Sequence, residues 1–135
     1  GVQRAASPED AIRQADVISL HMPATDETRG FINADRIAMC KEGVIVVNTA
    51  RGGLVDEAAV AEACRTGRIK AYAADVLATE PMQTPHPFQE IDNILITPHV
   101  GSRTYESVER QAVRATKNIV NYLTGDDDYI QANTF

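Results

Sequence analysis

Cysteine is scarce in this sequence, and its placement excludes two classes of protein. Cys40 and Cys64 are the only two among 135 residues, and they form no CxxC pair. Disulfide-rich secreted domains and cysteine-ligated zinc sites both need more cysteines at closer spacing. Both thiols are therefore expected to stay reduced, which favours a cytoplasmic protein.

Long apolar runs and clusters of basic residues are missing as well. No stretch approaches the roughly 20 apolar residues that cross a bilayer, and the opening GVQRAASPED has no signal-peptide core. The net charge is -6, whereas proteins that bind phosphate backbones gather lysine and arginine. We expect no membrane and no nucleic-acid partner, which leaves small molecules or other protein chains.

What remains is the composition of an ordinary folded domain, with 44% hydrophobic and 24% charged residues. Helix and strand patterns alternate along it. Ser7 is predicted to cap a first helix, with Pro8 at its first position and Asp10 completing a capping box, before the strand DVISLH. A second helix, NADRIAMCKEG, is predicted to end at Gly43, and the apolar run 44–47 predicts a strand buried on both faces.

The second half of the sequence repeats this alternation. Asp56 and Glu57 indicate the N-cap and first turn of a helix that stops at Gly67, before the strand IKAYAADV. The strand ILITP then precedes a long helix over about 102–123, closed by Gly125. Four strands that alternate with helices predict an α/β fold: an incomplete doubly wound, Rossmann-type parallel sheet flanked by helices.

Polar residues follow the strands at their carboxyl ends. His21 follows the first strand, residues 48–51 close the second, Asp75 and Glu80 follow the third, and His99 follows the fourth. Parallel strands end at the same edge of a sheet, where open α/β sheets bind their ligands. We therefore expect these side chains to converge, with the Arg51 side chain directed from a strand-to-helix turn into a cleft.

Four motifs at these positions carry a family resemblance: LHMPATDETRGFIN, NTARGGLVDE, ADVLATEP and TPHVGSRT. In order and spacing the sequence resembles the NAD-binding domain of the D-isomer-specific 2-hydroxyacid dehydrogenases, relatives of phosphoglycerate dehydrogenase and glyoxylate/hydroxypyruvate reductase. The resemblance implies an oxidoreductase that transfers a hydride between NAD or NADP, with NAD favoured, and a 2-keto or 2-hydroxy acid. A homodimer is expected for the full-length protein.

The resemblance also assigns roles to single residues. It makes Arg51 the residue that binds the substrate carboxylate, His99 the acid/base, and Glu80 the carboxylate that orients and charges His99. It places Asp75 at the carboxamide side of the nicotinamide and makes Gly101 a point of close backbone approach to the cofactor. The rest of the cofactor's bed would be lined by His21, Pro23, Asn48, Thr49, Ala50, Arg51 and His99.

Elementary chemistry agrees with these roles. Arginine binds a carboxylate through two parallel hydrogen bonds and stays charged, whereas lysine is a movable point charge. Histidine exchanges its proton near neutral pH, and a carboxylate on its second ring nitrogen fixes the tautomer. Reduction of a 2-keto acid needs a proton donor and a cation beside the carboxylate, and it needs no metal.

Other histidines leave alternatives open. His21 is either a cofactor contact or a satisfied polar residue at a strand end. His86, in the loop TPHPF, is expected to face solvent or to begin a helix, and no role is assigned to it. A metal site made from the histidines and cysteines would lack any recognised ligand spacing.

The Gly-rich turn G-x-G-x-x-G that grips a dinucleotide pyrophosphate does not occur in the sequence. Residues 1–125 are therefore predicted to be the carboxyl-terminal portion of a dinucleotide-binding domain without its first βα unit. Residues 126–135 are predicted to pack toward an absent substrate domain, and the isolated chain is expected to be inactive. The alternative function is a dinucleotide-sensing binding module of the corepressor type, which shares the fold and the same residues.

Overall fold

The computed structural model describes residues 1–131, which contain a single four-stranded parallel sheet. The strands, in the order in which they lie side by side, are β1 (Val17–Leu20), β2 (Val44–Asn48), β3 (Ile69–Ala74) and β4 (Ile94–Ile96). The helices are α1 (Pro8–Gln14), α2 (Ala34–Met39), a short 3-10 helix (Gly52–Leu54), α3 (Glu57–Arg65) and α4 (Tyr105–Thr124). The predicted α/β class is confirmed. Across the described residues, we find no helix with both the length and the apolar character that a membrane span requires.

The chain divides into two compact units, residues 1–99 and the part that begins at Val100. In the first unit the strand order advances in one direction, so right-handed crossovers carry their helices to the same face of the sheet. Alternate strand residues on that face pack against the helices in one core. Its members include Ile12, Ile18, Leu20, Ile37, Val44, Val46, Val60, Ile69, Tyr72, Phe88 and Ile91.

The prediction that residues 44–47 are buried on both faces needs correction. Val44 and Val46 are 1% and 0% exposed, whereas Ile45 is partly exposed. Val17, which pairs with Ile45 across the sheet, is 56% exposed. Within residues 1–99 the helices cover one face of the sheet, because all of its crossovers advance the same way. Burial in β2 therefore alternates.

The largest departure from the predicted helix ends is at α2. Ser7 caps α1 by accepting the Asp10 N–H at 3.1 Å, but Asp10 does not complete a capping box and its carboxylate faces Arg13 instead. The predicted stop at Gly43 is wrong, because α2 ends at Met39. The Arg68 guanidinium, which arrives from the turn before β3, donates to the carbonyls of the last turn of α2: Ile37, Ala38 and Cys40.

The second unit is built around α4. Thr104 and Ser107 cap its start reciprocally, a few residues later than predicted, and Gly125 ends it at a φ of 77°. Residues 126–131 run back along the helix, where Asp128 pairs with Arg114 at 3.2 Å. The predicted packing of the 126–135 tail toward another domain stays a prediction, and residues 132–135 lie outside the described part.

Candidate active site

The last residues of the four strands lie in register across the sheet. Leu20 pairs with Asn48, Asn48 with Ala74, and Ala74 with Ile96. The segments that leave these strands therefore start from one level at one edge. The polar residues of the four motifs therefore lie on segments that leave the same edge of the sheet.

Asn48 builds the turn that carries Arg51. Its side chain is completely buried; Nδ2 donates to the Arg51 carbonyl at 2.9 Å, and Oδ1 accepts the Ala50 N–H at 3.1 Å. The turn presents an exposed Arg51 whose Nη1 donates to the Ala50 carbonyl at 2.6 Å. Asn48 thus faces inward and shapes the predicted cofactor bed through the backbone of this turn.

Gly52 lets this turn pack directly on the loop that carries Glu80. A Cβ at position 52 would lie 1.9 Å from the Leu77 carbonyl carbon and 2.3 Å from the Ala78 nitrogen. No side chain fits in that space, so glycine is required here by close approach of two backbones. The Arg51 turn and the start of the Glu80 loop are in direct contact.

Glu80 and His99 meet as the sequence predicted. Glu80 Oε2 lies 2.7 Å from His99 Nδ1, and Oε1 accepts the Leu77 N–H at 2.9 Å. The hydrogen bond to His99 and then the one from Leu77 hold the pKa of Glu80 below its ordinary value. Because Nδ1 is engaged by the carboxylate, Nε2 is the ring nitrogen that can exchange a proton with a ligand.

His99 adopts an unusual backbone conformation, with a φ of 54°. Its N–H donates to the Thr97 carbonyl at 2.9 Å, which closes a tight turn after β4. A positive φ in a residue other than glycine is uncommon and persists where surrounding contacts over-determine it. The contact with Glu80 is one such constraint.

Asp75 ties three strands together at the same edge. It is 7% exposed, its N–H donates to the Asn48 carbonyl at 3.1 Å, and its carboxylate accepts the Thr97 hydroxyl. Its backbone therefore contacts the end of β2, and its carboxylate contacts the segment that leads to His99.

The first motif forms the other side of the Arg51 turn. An open depression of about 380 Å³ is lined by His21, Pro23, Ala50 and Arg51, and also by Met22, an apolar residue that carries no predicted role. The His21 ring Nε2 lies 2.8 Å from the Ser19 hydroxyl, so this ring has a partner at the strand end as well as a place in the depression. Thr49 is exposed beside them.

Gly101 belongs to the second unit, in the turn where the Arg103 N–H donates to the Val100 carbonyl at 2.8 Å. Its predicted approach to a cofactor stays a prediction. Among the described residues, no group of three or more His, Cys, Asp or Glu side chains could hold a metal ion.

His86 does not face solvent. Its side chain is only 7% exposed and lies 3.4 Å from the Glu57 carboxylate, and its Nδ1 accepts the Phe88 N–H at 3.2 Å. The alternative expectation, that it begins a helix, is also wrong, because residues 87–90 form a turn. No local pattern indicates the pairing with Glu57, because 29 positions separate the two residues.

A parallel α/β sheet with an arginine turn, a carboxylate–histidine pair and a buried aspartate along its carboxyl edge defines a Rossmann-like domain with a ligand-binding edge. The chain matches the family model "D-isomer specific 2-hydroxyacid dehydrogenase, NAD binding domain" over residues 1–101. It belongs to that family.

Relatives in this family support the match along most of the chain. D-3-phosphoglycerate dehydrogenase of Mycobacterium leprae is 43% identical over 118 residues, which cover 87% of this chain and 22% of that protein. Glyoxylate reductase of Aeropyrum pernix is 40% identical over 119 residues, which cover 88% of this chain and 36% of the relative. The chain thus spans between a fifth and about a third of these relatives.

Among solved structures, a D-isomer specific 2-hydroxyacid dehydrogenase from Xanthobacter autotrophicus Py2, in complex with NADPH and MES, resembles the chain with a TM-score of 0.72 at 35% identity. The alignment covers 85% of this chain and 47% of that one. The family is described as an NAD-binding domain, and this structural neighbour holds NADPH.

Proposed function

We propose that this chain supplies the substrate-binding arginine and the acid/base histidine of an NAD(P)-dependent dehydrogenase that interconverts 2-keto acids and D-2-hydroxy acids. The observation that carries the proposal is the 2.7 Å contact between Glu80 and His99, at the sheet edge that also presents Arg51. Together they are a cation for the carboxylate, a proton donor for the carbonyl, and a charge that stabilises the donor.

In the direction of reduction, Arg51 binds the substrate carboxylate through two parallel hydrogen bonds and so orients the adjacent carbonyl. His99 Nε2 donates its proton to the carbonyl oxygen as negative charge develops there. Glu80 stabilises the imidazolium before the transfer and holds the ring in place. In the opposite direction, neutral His99 accepts the hydroxyl proton. The nicotinamide cofactor, when bound, supplies or takes the hydride.

The residues at the edge fit such a cofactor. The depression beside Arg51 is open and lined on one side by the first motif, and Asp75 offers a buried carboxylate that can accept a hydrogen bond from a carboxamide. In this proposal His21, Pro23, Asn48, Thr49, Ala50, Asp75 and Gly101 hold the nicotinamide end. NAD is favoured over NADP.

A chimera tests the proposed function. Residues 1–101 of this chain replace the matching segment of the Mycobacterium leprae relative, and NADH oxidation is measured with a panel of 2-keto acids. We expect turnover, a loss of roughly 100-fold or more in kcat for His99→Ala, and a large loss of kcat/KM for Arg51→Lys, because the two-point grip on the carboxylate is lost. Arg4→Lys, at an exposed position, is the matched control.

Two outcomes would contradict the proposal. Full turnover in His99→Ala would remove the histidine from the chemistry. A folded chimera that binds NADH but oxidises it with no acid would favour the dinucleotide-sensing module. The isolated 135-residue chain, which lacks a Gly-rich turn, is expected to bind NADH more weakly than micromolar.

Location and assembly complete the proposal. Cys40 and Cys64 are both free and buried, which supports a protein that works in the reducing cytoplasm. A homodimer of the full-length protein is part of the same proposal, and light scattering of that protein would test it.

A further inference from the structure

The loop between β3 and β4, residues 75–93, carries Glu80 and has few regular elements of its own. It is held from outside by the first turn of α3. One oxygen of Glu57 accepts the Ala78 N–H at 2.9 Å, and the other lies 3.4 Å from His86 Nε2. A single carboxylate therefore fastens the loop on both sides of Glu80.

Because the side chains of Glu57 and His86 are largely buried, loss of their polar contacts would cost folding free energy. The side chains of Glu57 and His86 are 15% and 7% exposed, so each needs a polar partner. His86 Nδ1 accepts the Phe88 N–H at 3.2 Å, and the proton of the neutral ring is then on Nε2, toward Glu57. Nδ1 thus accepts a hydrogen bond within the loop, and Nε2 faces Glu57 Oε2 across 3.4 Å.

The same carboxylate is connected to the Arg51 turn. Glu57 begins the helix that follows this turn, and Gly52 packs on the Leu77–Ala78 peptide. Leu77 in turn donates to Glu80. Glu57 thus binds the Leu77–Ala78 peptide, which contacts the turn of Arg51 on one side and precedes Glu80 on the other.

We propose that Glu57 and His86 are positioning residues that hold Glu80 against His99 at a fixed place relative to Arg51. Neither residue touches substrate or cofactor in this inference, which rests on the proposed function. Loss of the pair lets the 75–93 loop shift, so Glu80 spends less time on His99. A displacement of an ångström in catalytic geometry is enough to lower a rate many-fold.

Substitutions at His86 distinguish the contact of Nε2 with Glu57 from the contact of Nδ1 with Phe88. The side-chain amide of glutamine reaches about as far as Nε2, so His86→Gln keeps a donor toward Glu57. Asparagine is shorter and offers an acceptor near the place of Nδ1, so His86→Asn keeps the bond from Phe88 and loses the contact with Glu57. Glu57→Gln retains an acceptor for Ala78 but directs a second donor at the Nε2 proton.

The decisive measurement is the pKa of Glu80 in the 135-residue chain, followed by carbon NMR of its side-chain carboxyl group. We expect Glu57→Gln and His86→Asn to raise this pKa toward its ordinary value of 4.5, because the hydrogen bond from His99 weakens. His86→Gln should leave it low. Glu62→Gln, on the same helix at an exposed position, is the charge-matched control.

Kinetics in the chimera provide the second readout. Glu57→Gln and His86→Asn should lower kcat about 10-fold with little change in the KM for NADH. His86→Gln should retain most of the parent kcat. A Glu80 pKa that stays low in folded Glu57→Gln and His86→Asn chains would overturn the inference. Because the NMR measurement requires no turnover, a chimera without activity would count against the proposed function alone.

Discussion

Asn48 and Gly52 hold the Arg51 turn by opposite physical means. Asn48 fills the space under the turn and satisfies one N–H and one carbonyl with a single amide. Gly52 leaves space, so that the Leu77–Ala78 peptide can pack against its Cα. At this scale the placement of the arginine depends on two residues that carry no charge.

The fit at Gly52 leads to the first prediction. Gly52→Ala should lower the free energy of unfolding by about 3 kcal/mol, since its Cβ would have to lie 1.9 Å from the Leu77 carbonyl carbon and the neighbour is backbone. Urea unfolding of the 135-residue chain measures this.

Gly53 provides the matched control for that measurement. A Cβ there would lie 3.6 Å from Arg29 Nη1 and 3.9 Å from the Ala24 Cβ, which are ordinary contacts. Gly53→Ala should therefore change the stability by less than about 1 kcal/mol. Equal effects of the two substitutions would contradict the close packing at Gly52.

At the scale of elements, helix ends decide where the strands begin. α2 has six residues, and a helix this short depends on its contacts with the rest of the fold. Arg68 supplies such a contact by donating to carbonyls of its last turn. The same arginine directly precedes β3, so one side chain joins the end of a helix to the start of a strand.

Removal of this cap is the second prediction. Arg68→Met keeps the aliphatic stem and removes the donors, and it should cost about 1–3 kcal/mol of unfolding free energy, the usual value for charged hydrogen bonds. Lys70→Met, at an exposed position two residues later, should change stability by no more than about 0.5 kcal/mol. A loss for Arg68→Met as small as that of Lys70→Met would show that α2 ends without help from the arginine.

On the scale of the whole molecule, two carboxylates that accept hydrogen bonds between separate segments make the stability depend on pH in the acid range. The hydrogen bond from Arg36 lowers the pKa of Glu9, as the contact with His99 lowers that of Glu80. The first contact joins α1 to α2 and the second joins the two loops at the sheet edge. Both carboxylates therefore stabilise the fold in their ionised form.

Because both pKa values are lowered in the folded chain, the third prediction is a loss of stability at acid pH. As the pH falls, Glu9 and Glu80 become protonated in the unfolded chain before they do so in the folded chain. The free energy of unfolding therefore decreases as the pH falls from the ordinary carboxyl pKa through the two lowered pKa values. Urea midpoints between pH 6 and pH 3 should decline for the parent chain and decline less steeply for Glu9→Gln and Glu80→Gln. Parallel curves for parent and variants would show that these contacts do not stabilise the folded chain.

Much of the fold could be predicted because its signals are local. Ser7, Asp56 and Gly125 mark helix ends through bonds within a few residues, and the apolar runs mark strands. The family resemblance predicted the contact of Glu80 with His99, and the α/β alternation predicted that the segments carrying them leave the same edge of the sheet. The end of α2 and the surroundings of His86 were not predictable, because their partners, Arg68 and Glu57, are distant in sequence.

By itself, the sequence determined which segments become helices and strands, that the sheet is parallel, and which polar residues follow its strands at the carboxyl edge. These properties depend on periodicity, capping and chain direction, which every short segment carries with it. Only the tertiary structure decided that β2 is buried on one face, that Arg68 ends α2, that Gly52 packs on the loop before Glu80, and that Glu57 pairs with His86. Each of these depends on the distance between segments, which is set by how the crossovers pack and leaves no pattern in the residues themselves.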